Sequence, residues 1–156
     1  MPQLNKGGKF VFGFSVIQAD GSIRIPPQAL SEYHLTGGDG RVIIFTGSKI
    51  TGGFCVTTRA MLSNSKLKHI LEDCPQLRDY QLPEGEFIQY KGRKYAWVRI
   101  DENGVIKMPQ EALPVLELQT GNELLSIRSS DIAFTMGAKG PLLEKARGFD
   151  GDITRY

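Results

Sequence analysis

The sequence predicts a mainly β protein with short helices, α+β by count, built from two copies of one small unit. Three observations carry this. Residues 21–39 read Gly-Ser-Ile-Arg-Ile-Pro-Pro-Gln-Ala-Leu-Ser-Glu-Tyr-His-Leu-Thr-Gly-Gly-Asp, and residues 104–122 read Gly-Val-Ile-Lys-Met-Pro-Gln-Glu-Ala-Leu-Pro-Val-Leu-Glu-Leu-Gln-Thr-Gly-Asn. Gly21 and Gly104, Pro26 and Pro109, Leu30 and Leu113, Leu35 and Leu118, and Gly38 and Gly121 all stand 83 positions apart. Short aromatic and β-branched runs, bounded by glycine turns, flank both segments, as strands do.

In chain order, residues 1–9 form a loose start containing a Lys6-Gly7-Gly8-Lys9 turn. Residues 10–17, Phe-Val-Phe-Gly-Phe-Ser-Val-Ile, read as a strand. Ala19-Asp20-Gly21 is a turn, because glycine accepts positive φ without a Cβ clash. Residues 22–25 alternate polar and apolar, so Ile23 and Ile25 point inward and Arg24 outward. Pro26-Pro27 stops that strand and opens a helix over 28–35, which Gly37-Gly38 is expected to close. Residues 41–46 read as a strand buried on both faces, and 54–57 as a short one after a turn. Residues 58–73 suggest an amphipathic helix on Leu62, Leu67, Ile70 and Leu71, weakened at Ser63-Asn64-Ser65. Cys74-Pro75 ends it, and a connector follows to residue 85.

The second copy opens with a hairpin, strands 86–90 and 95–100 about the turn Lys91-Gly92-Arg93-Lys94, which echoes Lys6-Gly7-Gly8-Lys9. Residues 101–104 turn and residues 105–108 form the strand, with Lys107 outward where Arg24 stood. Pro109 opens the short helix, Pro114 should kink or break it, and Gly121-Asn122 caps it. Strands at 123–128 and 132–135, a helix at 141–147 and nine frayed residues complete the chain. The expected divisions are a first unit at 10–57, a helix and connector at 58–85, a second unit at 86–135, and a C-terminal helix and tail at 136–156.

Composition bounds the function classes. The chain of 156 residues is 40% hydrophobic and 23% charged, ordinary for a globular protein. No apolar run approaches the roughly 18 residues of a membrane span, so no membrane partner is expected. The N-terminal Met-Pro-Gln-Leu-Asn-Lys lacks a secretory pattern, and two cysteines make no disulfide framework. A cytoplasmic location is therefore expected, with Cys55 and Cys74 as structural thiols. The net charge of +2 is spread without a polybasic tail, so any affinity for DNA must come from folded placement of a few cations.

The doubled pattern of glycine, apolar, any residue, apolar, proline, short helix, spaced leucines, and then Gly-Asp or Gly-Asn before a buried strand resembles the SpoVT/AbrB family of swapped-hairpin DNA-binding domains. The tandem order resembles that of the MraZ proteins. The matching motifs cover residues 10–57 and 86–135. The resemblance implies a β-barrel made as an intramolecular pseudo-dimer, or completed in a homo-oligomer, with basic residues presented to DNA. A unit of about 45 residues is near the lower limit for burying a core alone, which suits two interlocked halves. The chain departs from the family where Ser22, Val105, Leu30 and Leu113 replace common arginines. Asp101 keeps the aspartate three before the turn glycine, and Gln18 replaces it in the first copy.

Two functions follow as expectations. The first is a DNA-binding transcriptional regulator, contacting phosphates and groove through Arg24, Lys91, Arg93, Lys94, Arg99 and Lys107, with Lys6 and Lys9 as further candidates. The second is a protein-interaction or assembly module that keeps the fold without binding DNA, favoured by the missing arginines and the small net charge. No enzyme is expected, since no residue set suggests a reaction and Gly47-Ser48-Lys49 lacks phosphate-loop spacing. No metal or cofactor is expected either: His34 and His69 stand apart from each other and from the cysteines. Tyr95 and Trp97 are expected to pack in the core, ahead of stacking on a base.

Overall fold

The structure is a computed structural model that describes residues 10–36, 38–148 and 153–156. The strands are β1 (Val11–Val16), β2 (Ser22–Arg24), β3 (Arg41–Thr46), β4 (Phe54–Thr57), β5 (Ile88–Tyr90), β6 (Arg93–Arg99), β7 (Val105–Lys107), β8 (Glu123–Arg128) and β9 (Phe134–Gly137). The helices are α1 (Pro27–Glu32), α2 (Arg59–Ser63), α3 (His69–Asp73), α4 (Pro75–Arg78), α5 (Ala112–Val115) and α6 (Pro141–Arg147). Seven strands form one antiparallel sheet in the order β1-β8-β9-β4-β3-β6-β5, and β2 pairs with β7 in a separate ribbon.

That order interleaves the two copies. β1 of the first pairs with β8 of the second, and β6 of the second pairs with β3 of the first. At the centre β4 lies against β9 with Cys55 opposite Thr135, and in the ribbon Ile23 lies opposite Ile106. Each of these two pairs joins equivalent positions of the copies, 80 and 83 residues apart in sequence. One pseudo-two-fold axis therefore runs through both.

The repeated glycines serve this pairing. Gly21 and Gly104 have φ of 87° and 80°. Met108 N–H donates to the Gly21 carbonyl at 3.0 Å, and Ile25 N–H to the Gly104 carbonyl at 2.9 Å, equivalent bonds on either side of the axis. A Cβ at Gly21 would collide with the Met108 carbonyl, and one at Gly104 with the Leu30 side chain. The repeated leucines mark the helix stops. Leu35 N–H reaches back to the Leu30 carbonyl at 3.0 Å, and Leu118 N–H to that of Leu113 at 2.9 Å. The left-handed residues that allow this are His34 (φ 52°) and Glu117 (φ 59°), so α1 stops before Gly38, and Gly37 lies outside the described residues.

Other expectations shift by a few residues. Pro114 kinks nothing, because α5 begins at Ala112 and places the proline in its first turn, where no amide bond is lost. The 58–73 stretch does break, into α2 and α3, where Ser65 Oγ donates to the Leu62 carbonyl at 2.9 Å. The expected connector begins with a helical turn, α4, started by Pro75. β9 starts at Phe134 rather than 132, because the Ile132 carbonyl accepts a hydrogen bond from Thr57 Oγ1 at 2.6 Å. The Lys6–Lys9 turn lies outside the described residues.

The tail does not fray where it is described. Phe14 N–H donates to the Thr154 carbonyl at 2.9 Å, and Tyr156 N–H to the Phe14 carbonyl at 2.8 Å, so residues 154–156 lie along the free edge of β1. Gly13 permits the approach: a Cβ there would meet Tyr156 Cε2 at 2.5 Å and the Thr154 carbonyl oxygen at 2.9 Å.

A hydrogen-bonded barrel does not close among the described residues, because the sheet ends at β1 and β5 with no pairing between them. β2 and β7 are only three residues long, with Pro26 and Pro109 two residues past their ends, and they pair with each other instead of extending the sheet. Side chains fill the space. Ile23, Ile106, Ala29, Tyr33 and Leu113 pack on the inner face of the sheet against Val42, Ile44, Val56, Val98, Leu124 and Phe134. The outer face is covered twice. α2, α3 and α4 cover Ile43 and Tyr95, while α6 covers Val11, Phe14, Leu125 and Ile127. No helix among the described residues is long and apolar enough to cross a membrane.

Candidate functional site

The six candidate cations fall in three places. Arg24 and Lys107 project from the outer face of the ribbon, where Ser22 faces Lys107 and Arg24 faces Val105. They are equivalent across the axis and diagonal to each other, a Cα separation of about 7–8 Å. Ile23 and Ile106, fully buried beneath them, hold the ribbon down. The Arg24 guanidinium lies 5.7 Å from the Tyr156 ring centroid. Asp20 stands close to Lys107, and its carboxyl is held below the usual range by bonds from Ser22 and then by that lysine.

Arg99 ends β6. Strand alternation puts it on the outer face with Tyr95 and Trp97, away from the ribbon. Its backbone N–H donates to Glu84 Oε2 at 2.7 Å, and its cross-strand partner is Arg41. Arg41 lies 4.4 Å from the Tyr80 ring centroid, and Tyr80 donates to Asp39 Oδ2 at 2.7 Å. Lys91, Arg93 and Lys94 sit at the opposite end of β6, about 20 Å from Arg99 along the strand. The hairpin turn is tight, with φ of 46° at Lys91 and 83° at Gly92. Lys6 and Lys9 lie outside the described residues. Tyr95 and Trp97 are buried, and Trp97 Nε1 donates to the Leu82 carbonyl at 2.7 Å, so neither is free to stack on a base.

Asp101 has a structural role. Its Oδ1 accepts from Asn103 N–H and Val105 N–H, both at 2.9 Å, fixing the turn that feeds β7. Asp20 does the same for the first copy by accepting from Ser22 N–H at 3.0 Å, which is why Gln18 can replace the earlier aspartate.

A cavity of about 520 Å³ opens on the outer face where the two helical covers leave the middle of the sheet bare. Its floor straddles the axis at Cys55 and Thr135, whose Sγ and Oγ1 lie 3.4 Å apart. Leu62 and Ile70 wall one side and Ile127 and Leu142 the other, with Phe45 and Tyr95 between. Lys91, Arg93 and Arg128 supply its cations. Arg128 is ion-paired with Glu32, yet its Nε is buried without a hydrogen-bond partner. Arg93 packs over Phe45, 5.4 Å from the ring centroid, and reaches the Cys55 thiol. Burial pushes the Cys55 and Cys74 thiols up from their ordinary values, as inert structural cysteines require.

The sequence pointed to the ribbon cations and missed the cavity. Its walls come from segments far apart in the chain, and the one local signal was the polarity of Cys55, Thr57 and Thr135 within otherwise apolar strands. Among the described residues, no group of three His, Cys, Asp or Glu side chains is placed to hold a metal ion. No family model matches the chain, and no curated protein matches it.

Proposed function

We propose that the chain is a DNA-binding regulator of the AbrB-like swapped-hairpin type, an intramolecular pseudo-dimer in which one chain does the work of two. The single observation that carries this reading is the β2–β7 ribbon. It is an antiparallel pair centred on the axis, and its exposed face offers Arg24 and Lys107 at equivalent positions. A major groove admits a two-stranded ribbon, and arginine and lysine contact phosphates or guanine edges there. The interleaved strands support the family resemblance, since β1 pairs with β8 of the second copy while its counterpart β6 pairs with β3 of the first.

The contact set is smaller than the sequence suggested. Lys91, Arg93 and Lys94 lie at the far end of β6 and Arg99 on the other face, so the ribbon alone is the reading's DNA contact. Neutralising about two phosphates gives a log–log salt slope near −2. Fluorescence anisotropy on labelled genomic fragments at rising salt tests this. The expected result is binding at low salt that Arg24→Ala with Lys107→Ala weakens and makes nearly salt-independent. Absence of binding at low salt, or a double variant that binds like the parent, overturns the reading.

The alternative of a protein-interaction module draws less support. Most of the apolar face of the 58–73 stretch is spent inside, with Leu62, Ile70 and Leu71 buried against the sheet and Leu67 left exposed. Among the described residues, the exposed large apolar side chains, Phe10, Ile50 and Leu67, belong to three separate segments.

A further inference from the structure

The outer-face cavity is separate from the ribbon and from any DNA contact there. At about 520 Å³ it lies within the range of about 300–1,000 Å³ typical of small-molecule sites. Its floor makes few demands on a polar ligand. Thr57 Oγ1 is committed to the Ile132 carbonyl at 2.6 Å, and the Cys55 thiol to Thr135. The remaining lining is mostly aliphatic and aromatic, with Ser48, Thr51, His69, Ser129 and Ser130 among its polar members. Among the described residues the charged side chains that line the cavity, Lys91, Arg93 and Arg128, are all basic; Asp73, at its mouth, accepts a hydrogen bond from the Tyr90 hydroxyl. Glu32 neutralises Arg128 from outside. Among the described residues no carboxylate pairs with Arg93, whose guanidinium lies over the Phe45 ring and close to the Cys55 thiol and Tyr95.

An apolar chamber with one uncompensated guanidinium at its edge selects a ligand with an apolar body and an anionic head. Arginine meets a carboxylate with two parallel N–H donors, and low surrounding polarity strengthens that pairing. We propose that this cavity binds a small amphipathic carboxylate, its body on the sheet floor between α3 and α6 and its head on Arg93.

Calorimetric titration of the full chain with decanoate, kept below its micelle-forming concentration, and with decanol, kept below its solubility limit, tests this without DNA. The expected result is one saturable site for decanoate, with decanol binding about tenfold more weakly, the worth of one charge-assisted pairing. Arg93→Gln, an exposed change outside the core, should remove that preference and leave decanol unaffected. Thr135→Trp, which fills the floor, should abolish both. If that variant fails to melt cooperatively, Leu142→Trp at the α6 wall replaces it. No saturable decanoate binding, equal affinity for the alcohol, or binding that survives the filled cavity overturns the proposal. DNA binding can fail in its own assay without touching this result.

Discussion

Tyr90 links two parts of the chain that share no repeat. Its hydroxyl donates to Asp73 Oδ2 at 2.6 Å and lies 2.8 Å from His69 Nδ1, which must then carry the proton. This ties the β5 edge to α3, over the mouth of the cavity. The bond to Asp73, ahead of burial, raises the Tyr90 phenol to about 12. A phenol raised in the folded state favours folding while protonated. Its contribution is whole below about pH 10, where an unfolded tyrosine ionises, and is lost as pH rises through about 12. Tyr90→Phe should therefore flatten the loss of urea stability over that alkaline window; an unchanged slope would show that the pair contributes nothing. None of this was visible in the sequence, where His69 and Tyr90 are merely 21 positions apart. The ribbon residues were legible, because strict alternation around Ile23 and Ile106 leaves only one outward face for Arg24 and Lys107.

Among elements, the two ends of the sheet are each covered by a short segment. β5 covers β6 at one end, and residues 154–156 cover β1 at the other. Arg155 fixes that strap by lying over Phe14, 4.4 Å from its ring centroid, and by pairing with Glu123. An uncovered edge strand with free N–H and C=O groups recruits other chains. Deleting residues 153–156 should cost about 1–3 kcal/mol through two lost backbone bonds and the exposed Phe14. It should also produce concentration-dependent self-association by light scattering, and Gly13→Ala should reproduce both effects more weakly. A truncated chain with the parent's mass in solution and unchanged stability would contradict the strap. Four tail residues with no hydrophobic period carried no signal of this role. The sequence placed the helix stops at Gly37-Gly38 and Gly121-Asn122, whereas the left-handed residues are His34 and Glu117, just before Leu35 and Leu118. A hydrogen-bonded turn that buries two leucines outweighs the preference for glycine there.

At the scale of the molecule, duplication explains the strand order, the ribbon and the cavity together. Interleaving gives one continuous sheet whose two faces differ. The inner face carries the ribbon and the repeated helices α1 and α5. The outer face carries the unrepeated α2–α4 and α6, and their mismatch leaves the cavity on the axis. The repeat was therefore a reliable guide to the inner layer. It was silent about the outer one, where the two copies diverged in length and composition. Sequence spacing also gave no warning that the sheet would stay open, since closure depends on whether three-residue strands pair with the sheet or with each other.

Whether the halves interlock within one chain is the claim on which the ribbon and the cavity both depend. Cys55 faces Thr135 across the axis, at a Cα separation of about 4.5–5.5 Å that a disulfide can span. The most direct measurement is a non-reducing peptide map of the mildly oxidised Thr135→Cys chain. The account predicts a disulfide between that position and Cys55 in a species of single-chain mass that keeps the parent's circular dichroism. Free thiols at both Cys55 and position 135 after oxidation, or a link found only between chains, would contradict it.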